Sequence, residues 1–111
     1  MMSGDDDNKR EALAAARAQC PWATDACLRV AVANGGVEGC ARHRGDPGGI
    51  EWRNAGGRLH REGDCPAVIW ANGTRLWWRN GDLHRDGGQP AVIYFHGGEE
   101  FWEDGQRVRR R

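Results

Sequence analysis

A stretch of this chain repeats itself at a fixed offset of 24 residues, and no other feature restricts its fold so strongly. His60-Arg61 aligns with His84-Arg85, Leu59 with Leu83, and Pro66-Ala67-Val68-Ile69 with Pro90-Ala91-Val92-Ile93. Gly73 aligns with Gly97, Trp78 with Trp102 and Gly81 with Gly105, all without a gap. Self-similarity at one such period is the signature of an array of supersecondary units, none of which can bury its apolar face alone. Weaker copies flank the two good ones. Trp52-Arg53-Asn54 echoes Trp78-Arg79-Asn80 with two extra residues before Gly57, and His43-Arg44 followed by Pro47 resembles a shortened earlier copy. Asp104-Gly105-Gln106 begins another, which lacks its histidine because Val108 stands in that place.

Within a unit the pattern is that of strands and tight turns. Ala67 to Ala71 is apolar and β-branched, which predicts a strand. Asn72-Gly73 predicts a two-residue type I′ hairpin, since both central positions of that turn need positive φ. Thr74 to Arg79 predicts the returning strand, Asn80-Gly81 a second hairpin and Asp82 to Arg85 a short third strand. Asp86 to Pro90 is the loop to the next unit, with Pro90 at a strand start. The second unit predicts a strand over Ala91–Phe95, a turn near His96-Gly97, a strand over Glu99–Glu103 and a turn at Asp104-Gly105. The expected fold is mainly β: a single-layer antiparallel β-meander of hairpin repeats, preceded by one or two short helices.

The helices come from the first half. Residues 1–8 are acidic and polar and predict a mobile terminus. Asn8-Lys9-Arg10-Glu11 has the form of a capping box ahead of an Ala-rich run, and Pro21 predicts that helix to end near Cys20. A second helix is predicted from Asp25 to Ala33, with Cys27, Val30 and Ala31 on one face and Asn34-Gly35-Gly36 as its terminator. Residues 35–49 are Gly-rich and read as a linker or a degraded first repeat. The expected division is therefore 1–8, an acidic disordered terminus; 9–49, a helical and Gly-rich cap; and 50–111, the repeat sheet.

The units GRLHREGDCPAVIWANGTRLWW and GDLHRDGGQPAVIYFHGGEEFW resemble MORN-type repeats. They are more similar to the variant built on Trp-x-Asn-Gly-x-x-His-Arg-x-x-Gly-Pro-Ala, common in giant DNA viruses and present in antitoxin-like bacterial proteins. The resemblance covers about residues 50–111 and departs from the pattern at Cys65 and Gln89, where that variant has Gly before Pro. It implies a twisted sheet of hairpins used for protein or membrane-surface contacts, with no catalytic residues. The expected function is thus a non-enzymatic interaction or structural module, viral or virion-associated. The alternatives are an antitoxin-like inhibitory binder and a zinc-stapled regulatory module.

Charge and composition narrow the partner. With 16 basic and 16 acidic residues the net charge is zero, so no overall field draws in nucleic acid. The arginines of Arg107–Arg111 lack interleaved aromatics and read as a solvated edge rather than a specific nucleic-acid site. No run approaches the roughly 20 apolar residues of a membrane span. The Ala12–Ala18 run follows Asp5-Asp6-Asp7, the wrong flank for a signal peptide, so a cytoplasmic or virion location is expected. A protein partner or self-association is the expected interaction.

Four groups of side chains are candidates for a site. His60, Arg61, His84 and Arg85 could form a ligand-facing row with arginine forks for anions, but a requirement met in every unit is usually architectural, and the favoured reading has them tie the inter-unit loop by hydrogen bonds to Glu62 or Asp86 and to backbone carbonyls. Trp70, Trp77, Trp78 and Trp102 could form a stacking platform, although a thin sheet needs their area for its core. Trp77 and Trp78 are adjacent and so point to opposite faces. Cys20, Cys27, Cys40 and His43 make a Cys3His zinc set in which Cys40-x-x-His43 has ligand spacing but Cys20 and Cys27 stand wider than a usual knuckle. No cofactor is expected, and zinc is the one these residues would take. The four cysteines, Cys65 included, are expected as thiols; two disulfides would allow three pairings.

Overall fold

A computed structural model describes residues 4–45 and 48–110. Two helices, α1 (Gly4–Gln19) and α2 (Asp25–Ala33), precede nine short strands. The strands are β1 (Ala41–Arg42), β2 (Ile50–Glu51), β3 (Val68–Ile69), β4 (Arg75–Leu76), β5 (Trp78–Arg79), β6 (Asp82–Leu83), β7 (Val92–Ile93), β8 (Glu99–Glu103) and β9 (Gln106–Arg110). The fold is mainly β: a seven-stranded antiparallel sheet in the order β1-β2-β3-β4-β7-β8-β9, with β5 and β6 paired separately.

α1 starts at Gly4, ahead of the expected cap at Asn8, so residues 4–8 are helical; residues 1–3 lie outside the described residues. Pro21 stops α1 at Gln19 as expected. α2 has the predicted bounds. Thr24 caps it by accepting the Cys27 N–H at 3.2 Å, and the same hydroxyl donates to the Ala71 carbonyl. At its other end Gly35 takes a φ of 107°, which lets the Gly36 N–H turn back to the Ala31 carbonyl.

Pairing register divides the large sheet into two rows. Arg42, Ile50, Ile69, Arg75, Ile93 and Glu99 form one, and Ala41, Glu51, Val68, Leu76, Val92 and Glu100 the other. The helices cover part of the first row: Leu28, Cys27, Ala31 and Cys20 pack with Ile50, Ile69 and Trp52 in a dry core. On the opposite face Val68, Leu76 and Val92 form a second core under Leu59, Leu83, Trp70, Trp78, Tyr94 and Trp102. The two apolar faces of one sheet thus have different covers, helices on one and the unit's own aromatic and leucine side chains on the other.

Three expectations need correction. The returning strand Thr74–Arg79 is not continuous. It breaks at Trp77, whose N–H bonds the Ala91 carbonyl and whose carbonyl accepts from His84, so β4 stays in the large sheet while β5 pairs with β6. The sheet therefore skips from β4 to β7 and is not a simple meander. Asn72-Gly73 does not form a two-residue turn. Only Gly73 has positive φ, and the Gly73 N–H bonds the Trp70 carbonyl at 2.8 Å, giving a three-residue loop over 71–73 closed by Trp70 N–H to Thr74. The core pairs Val68 with Leu76, and that register leaves three residues rather than two for the loop. Asn80-Gly81 and Asp104-Gly105 do have positive φ at both positions. Finally, of the two readings of residues 35–49, the linker fails and the degraded first repeat fits. β1 pairs with β2 as β3 does with β4, so this segment supplies a first hairpin. His43 follows β1 where Trp70 follows β3, and so does not occupy the His60 position; Pro47 lies outside the described residues.

At the far end β9 runs beyond the turn at Asp104-Gly105 and pairs Arg110 with Glu100, the place β7 takes beside β4. β9 thus lies beside β8 as a longer, plain strand where β7 lies beside β4.

Candidate functional site

The repeated His-Arg pairs lie at the seams between units. His60 Nδ1 accepts the Asn80 N–H at 3.1 Å while its Nε2–H donates to Glu62 at 2.7 Å. His84 repeats both contacts, with the Asp104 N–H at 3.0 Å and Asp86 at 2.7 Å. Acceptance at Nδ1 fixes the Nε2–H tautomer. Beside each bond the turn glycine donates backward, Gly81 to the Leu59 carbonyl and Gly105 to that of Leu83. The histidine of one unit therefore holds the positive-φ turn of the next. Its bond to Asp86 also pulls that carboxyl below its usual range, with Arg79 adding to the effect.

The arginines work on the helix-covered side of the same seam. Arg61 lies 3.8 Å above the Trp52 ring, and its guanidinium donates to the Pro66 and Gly36 carbonyls. Arg85 lies 3.8 Å above Trp77, donates to the Pro90 carbonyl and grips both Asp64 carboxylate oxygens at 3.0 and 3.2 Å. The stacked indoles donate in turn, Trp52 to the Glu38 carbonyl and Trp77 to that of Asp64. By these bonds Trp52 is the counterpart of Trp77, one residue off the match its letters suggest. The Gly36–Glu38 segment stands where the Asp64 loop stands one unit later. Between the two His-Arg loops runs a groove of about 380 Å³, lined by His60, Glu62, Trp78, Arg79, His84 and Asp86. Its charges already answer one another, Arg79 reaching Asp86 and Asp104.

A second set of three recurs across the sheet. Glu51, only 3% exposed, is held by Arg53 Nε at 2.8 Å and His43 Nδ1 at 2.6 Å. At the other end of the same row Glu100 accepts from Tyr94 Oη at 3.1 Å and Trp102 Nε1 at 3.0 Å. Between them Leu76 lies in the corresponding place, with Trp70 and Trp78 as its neighbours. A carboxylate with two donors thus closes each end of the apolar row, and leucine with two indoles fills its middle. The buried Trp78 Nε1, which has no partner among the described residues, is explained by this series: the unit that would give it a carboxylate has Leu76. Burial pushes the Glu51 carboxyl up, but Arg53 and His43 outweigh it, and its pKa lies below the ordinary 4.5.

The tryptophans do not form one platform. Trp77 is buried under Arg85; Trp70, Trp78 and Trp102 are half-buried on the opposite face, Trp70 tilted against Tyr94 at 6.3 Å between centroids. Nor are Cys20, Cys27, Cys40 and His43 gathered. The Cys20 and Cys40 sulfurs lie 2.6 Å apart, Cys27 Sγ faces the Ile69 carbonyl and His43 turns to Glu51. Among the described residues no three His, Cys, Asp or Glu side chains come together to hold a metal ion. No helix there is long and apolar enough to cross a membrane.

Sequence reasoning passed over Phe95. It is 65% exposed at the tip of the 95–97 loop, where the preceding unit has Ala71. Beside it a groove of about 290 Å³ runs between α2 and the hairpin tips, lined by Ala26, Val30, Arg75, Ile93 and Phe95. A comparison of the two copies position by position would have found it, since an apolar side chain that departs from the repeat has no architectural reason to be there. Asp64, against Gly88 in the next copy, carries the same signal. Compared with protein-family models, with curated proteins and with solved structures, the chain matches none.

Proposed function

We propose that this chain is a non-enzymatic interaction module, a short MORN-like array that binds a protein partner at the corner formed by Phe95, Ile93, Arg75 and α2. The observation that carries the reading is the division of labour between repeated and non-repeated side chains. The repeated His-Arg pairs are engaged in joining units, which leaves the seams little to offer a substrate. The most exposed large apolar side chain among the described residues, Phe95, by contrast stands at a non-repeated position beside an open groove. An exposed aromatic at a concave apolar site is the kind of anchor that dominates interface energetics. Arg75 and Glu99 occupy the rim of that face and supply polar contacts of both signs.

Wild-type and Phe95→Ser chains, used as bait in native lysate, test this. A protein retained by the wild type and lost with Phe95→Ser, at unchanged melting temperature, supports it. A chain that light scattering shows as a monomer at high concentration, and that retains nothing in a Phe95-dependent way, overturns it.

A further inference from the structure

Cys20 ends the first helix and lies fully buried in the helix-covered core, beside Ala16, Leu28, Val37 and Trp52. Cys40 comes from the segment entering β1 and is half-exposed. Their sulfur atoms are 2.6 Å apart, far inside the contact distance of two sulfurs that merely pack. Of the other two thiols, Cys27 shares the core with Cys20 but faces the Ile69 carbonyl, and Cys65 faces the Gly63 carbonyl, each at 3.4 Å. We propose that Cys20 and Cys40 are a modification site, a pair built to be joined in a disulfide by a low-molecular-weight disulfide oxidant, and that the bond staples α1 to the first hairpin of the sheet. This reading is independent of the Phe95 corner.

The accessibility of the two thiols sets the order of events. Burial, with the neighbouring Cys40 adding to it, pushes the Cys20 thiol up to about 12. The thiolate is the attacking species, so Cys40, the exposed member, reacts first. Its thiolate attacks one sulfur of the oxidant; the oxidant's S–S bond breaks, the Cys40–oxidant bond forms and one oxidant thiolate leaves. That thiolate takes up the Cys20 proton, directly or through water. Cys20 sulfur then attacks Cys40 sulfur and displaces the second oxidant thiolate, which is protonated by water. In sum two cysteine thiols are oxidised and one disulfide is reduced to two thiols. What the bond adds is clear from the packing. Among the described residues of α1, the apolar side chains that reach the helix-covered core are Ala16 and Leu13, so the helix is held there chiefly through its last turns and the adjoining Cys20.

The test uses the full chain, incubated with oxidised glutathione or with dithiothreitol, then unfolded, alkylated and mapped. Cleavage on the N-terminal side of Asp25 separates Cys20 from Cys27, and cleavage after Arg29 separates Cys27 from Cys40. The expected result with oxidised glutathione is a Cys20–Cys40 linked peptide, with Cys27 and Cys65 alkylated. Closing this loop constrains the unfolded chain, so the oxidised form melts about 10 °C higher than the reduced one. Cys40→Ser abolishes that difference, and Cys65→Ser keeps it. Four alkylated cysteines after oxidation, a link to Cys27 or Cys65, or equal melting temperatures in the two redox states would each overturn the proposal. The peptide map of the wild type decides even if a variant fails to fold.

Discussion

Glu51 shows how one residue carries a pH dependence. Its carboxylate is buried against Arg53 and His43, and its pKa is depressed below 4.5. A depressed folded-state pKa stabilises the protein above the unfolded value, and that stabilisation is lost as pH falls through the folded value. The stability advantage of the wild type over Glu51→Gln should therefore shrink as pH falls from roughly 5 to 3, a trend that urea midpoints across a pH series would check. Arg85 makes a different case. A lysine there keeps the charge but loses both the planar stacking on Trp77 and the two-pronged grip on Asp64. Arg85→Lys should cost about 1–2 kcal/mol in chemical denaturation, and a double-mutant cycle with Asp64→Asn should return a coupling of about 0.5–1 kcal/mol. If the cycle shows no coupling, the arginine acts through Trp77 and the Pro90 carbonyl alone.

At the scale of elements, two Asn-Gly pairs of identical spelling form different turns. Asn80 has a φ of 50°, a conformation that costs an ordinary side chain about 1–2 kcal/mol, whereas Asn72 stays out of that region and uses its side chain to accept the Thr74 N–H at 2.9 Å. Asn80→Ala should therefore destabilise by about 1–2 kcal/mol and Asn80→Gly by little, while Asn72→Ala should cost about 0.5–1 kcal/mol for the lost hydrogen bond, as thermal melts of the three variants would show. The difference marks the limit of what local sequence carries. α2, the end of α1 and the Asp104-Gly105 turn were legible because their signals are local: a terminator, a proline, a dipeptide; β8 was legible as the repeat of the preceding unit's returning strand. The loop at Asn72-Gly73 was not, since its length is set by Val68 meeting Leu76 across the sheet. The break at Trp77 was hidden for the same reason, being fixed by hydrogen bonds to Ala91 and His84, which are distant in sequence. Of the candidate site, the repeated His-Arg pairs could be read together with Glu62, Asp86 and backbone carbonyls as their partners within a unit, but their partners in the neighbouring unit could not. Asp64, Asn80 and Asp104 become visible only once neighbouring units are set side by side.

The molecule as a whole is a row of units with different ends. α1 and α2 cover β2 and β3 near one end, and β9 occupies the place of a further unit at the other. Stability in such a row is close to a sum of units and seams. A copy of residues 57–80 inserted after residue 80 creates one more seam of the His60–Asn80 kind and leaves both ends intact. The extended chain should melt at a higher temperature, by calorimetry, with a single transition. Leu28→Ala acts at the other extreme. It empties a fully buried position where α2 meets the sheet and should cost about 2–5 kcal/mol, measured by denaturant unfolding. The plain strand β9 also has a mechanical consequence. Among the described residues it pairs on one side only, with β8, through a ladder perpendicular to the strands, so a pull at Arg110 directed across the strands loads those bonds one after another rather than together. Tension applied there would peel the row unit by unit towards the helices, which makes the basic end a weak link that yields before the core beneath α2 feels the load.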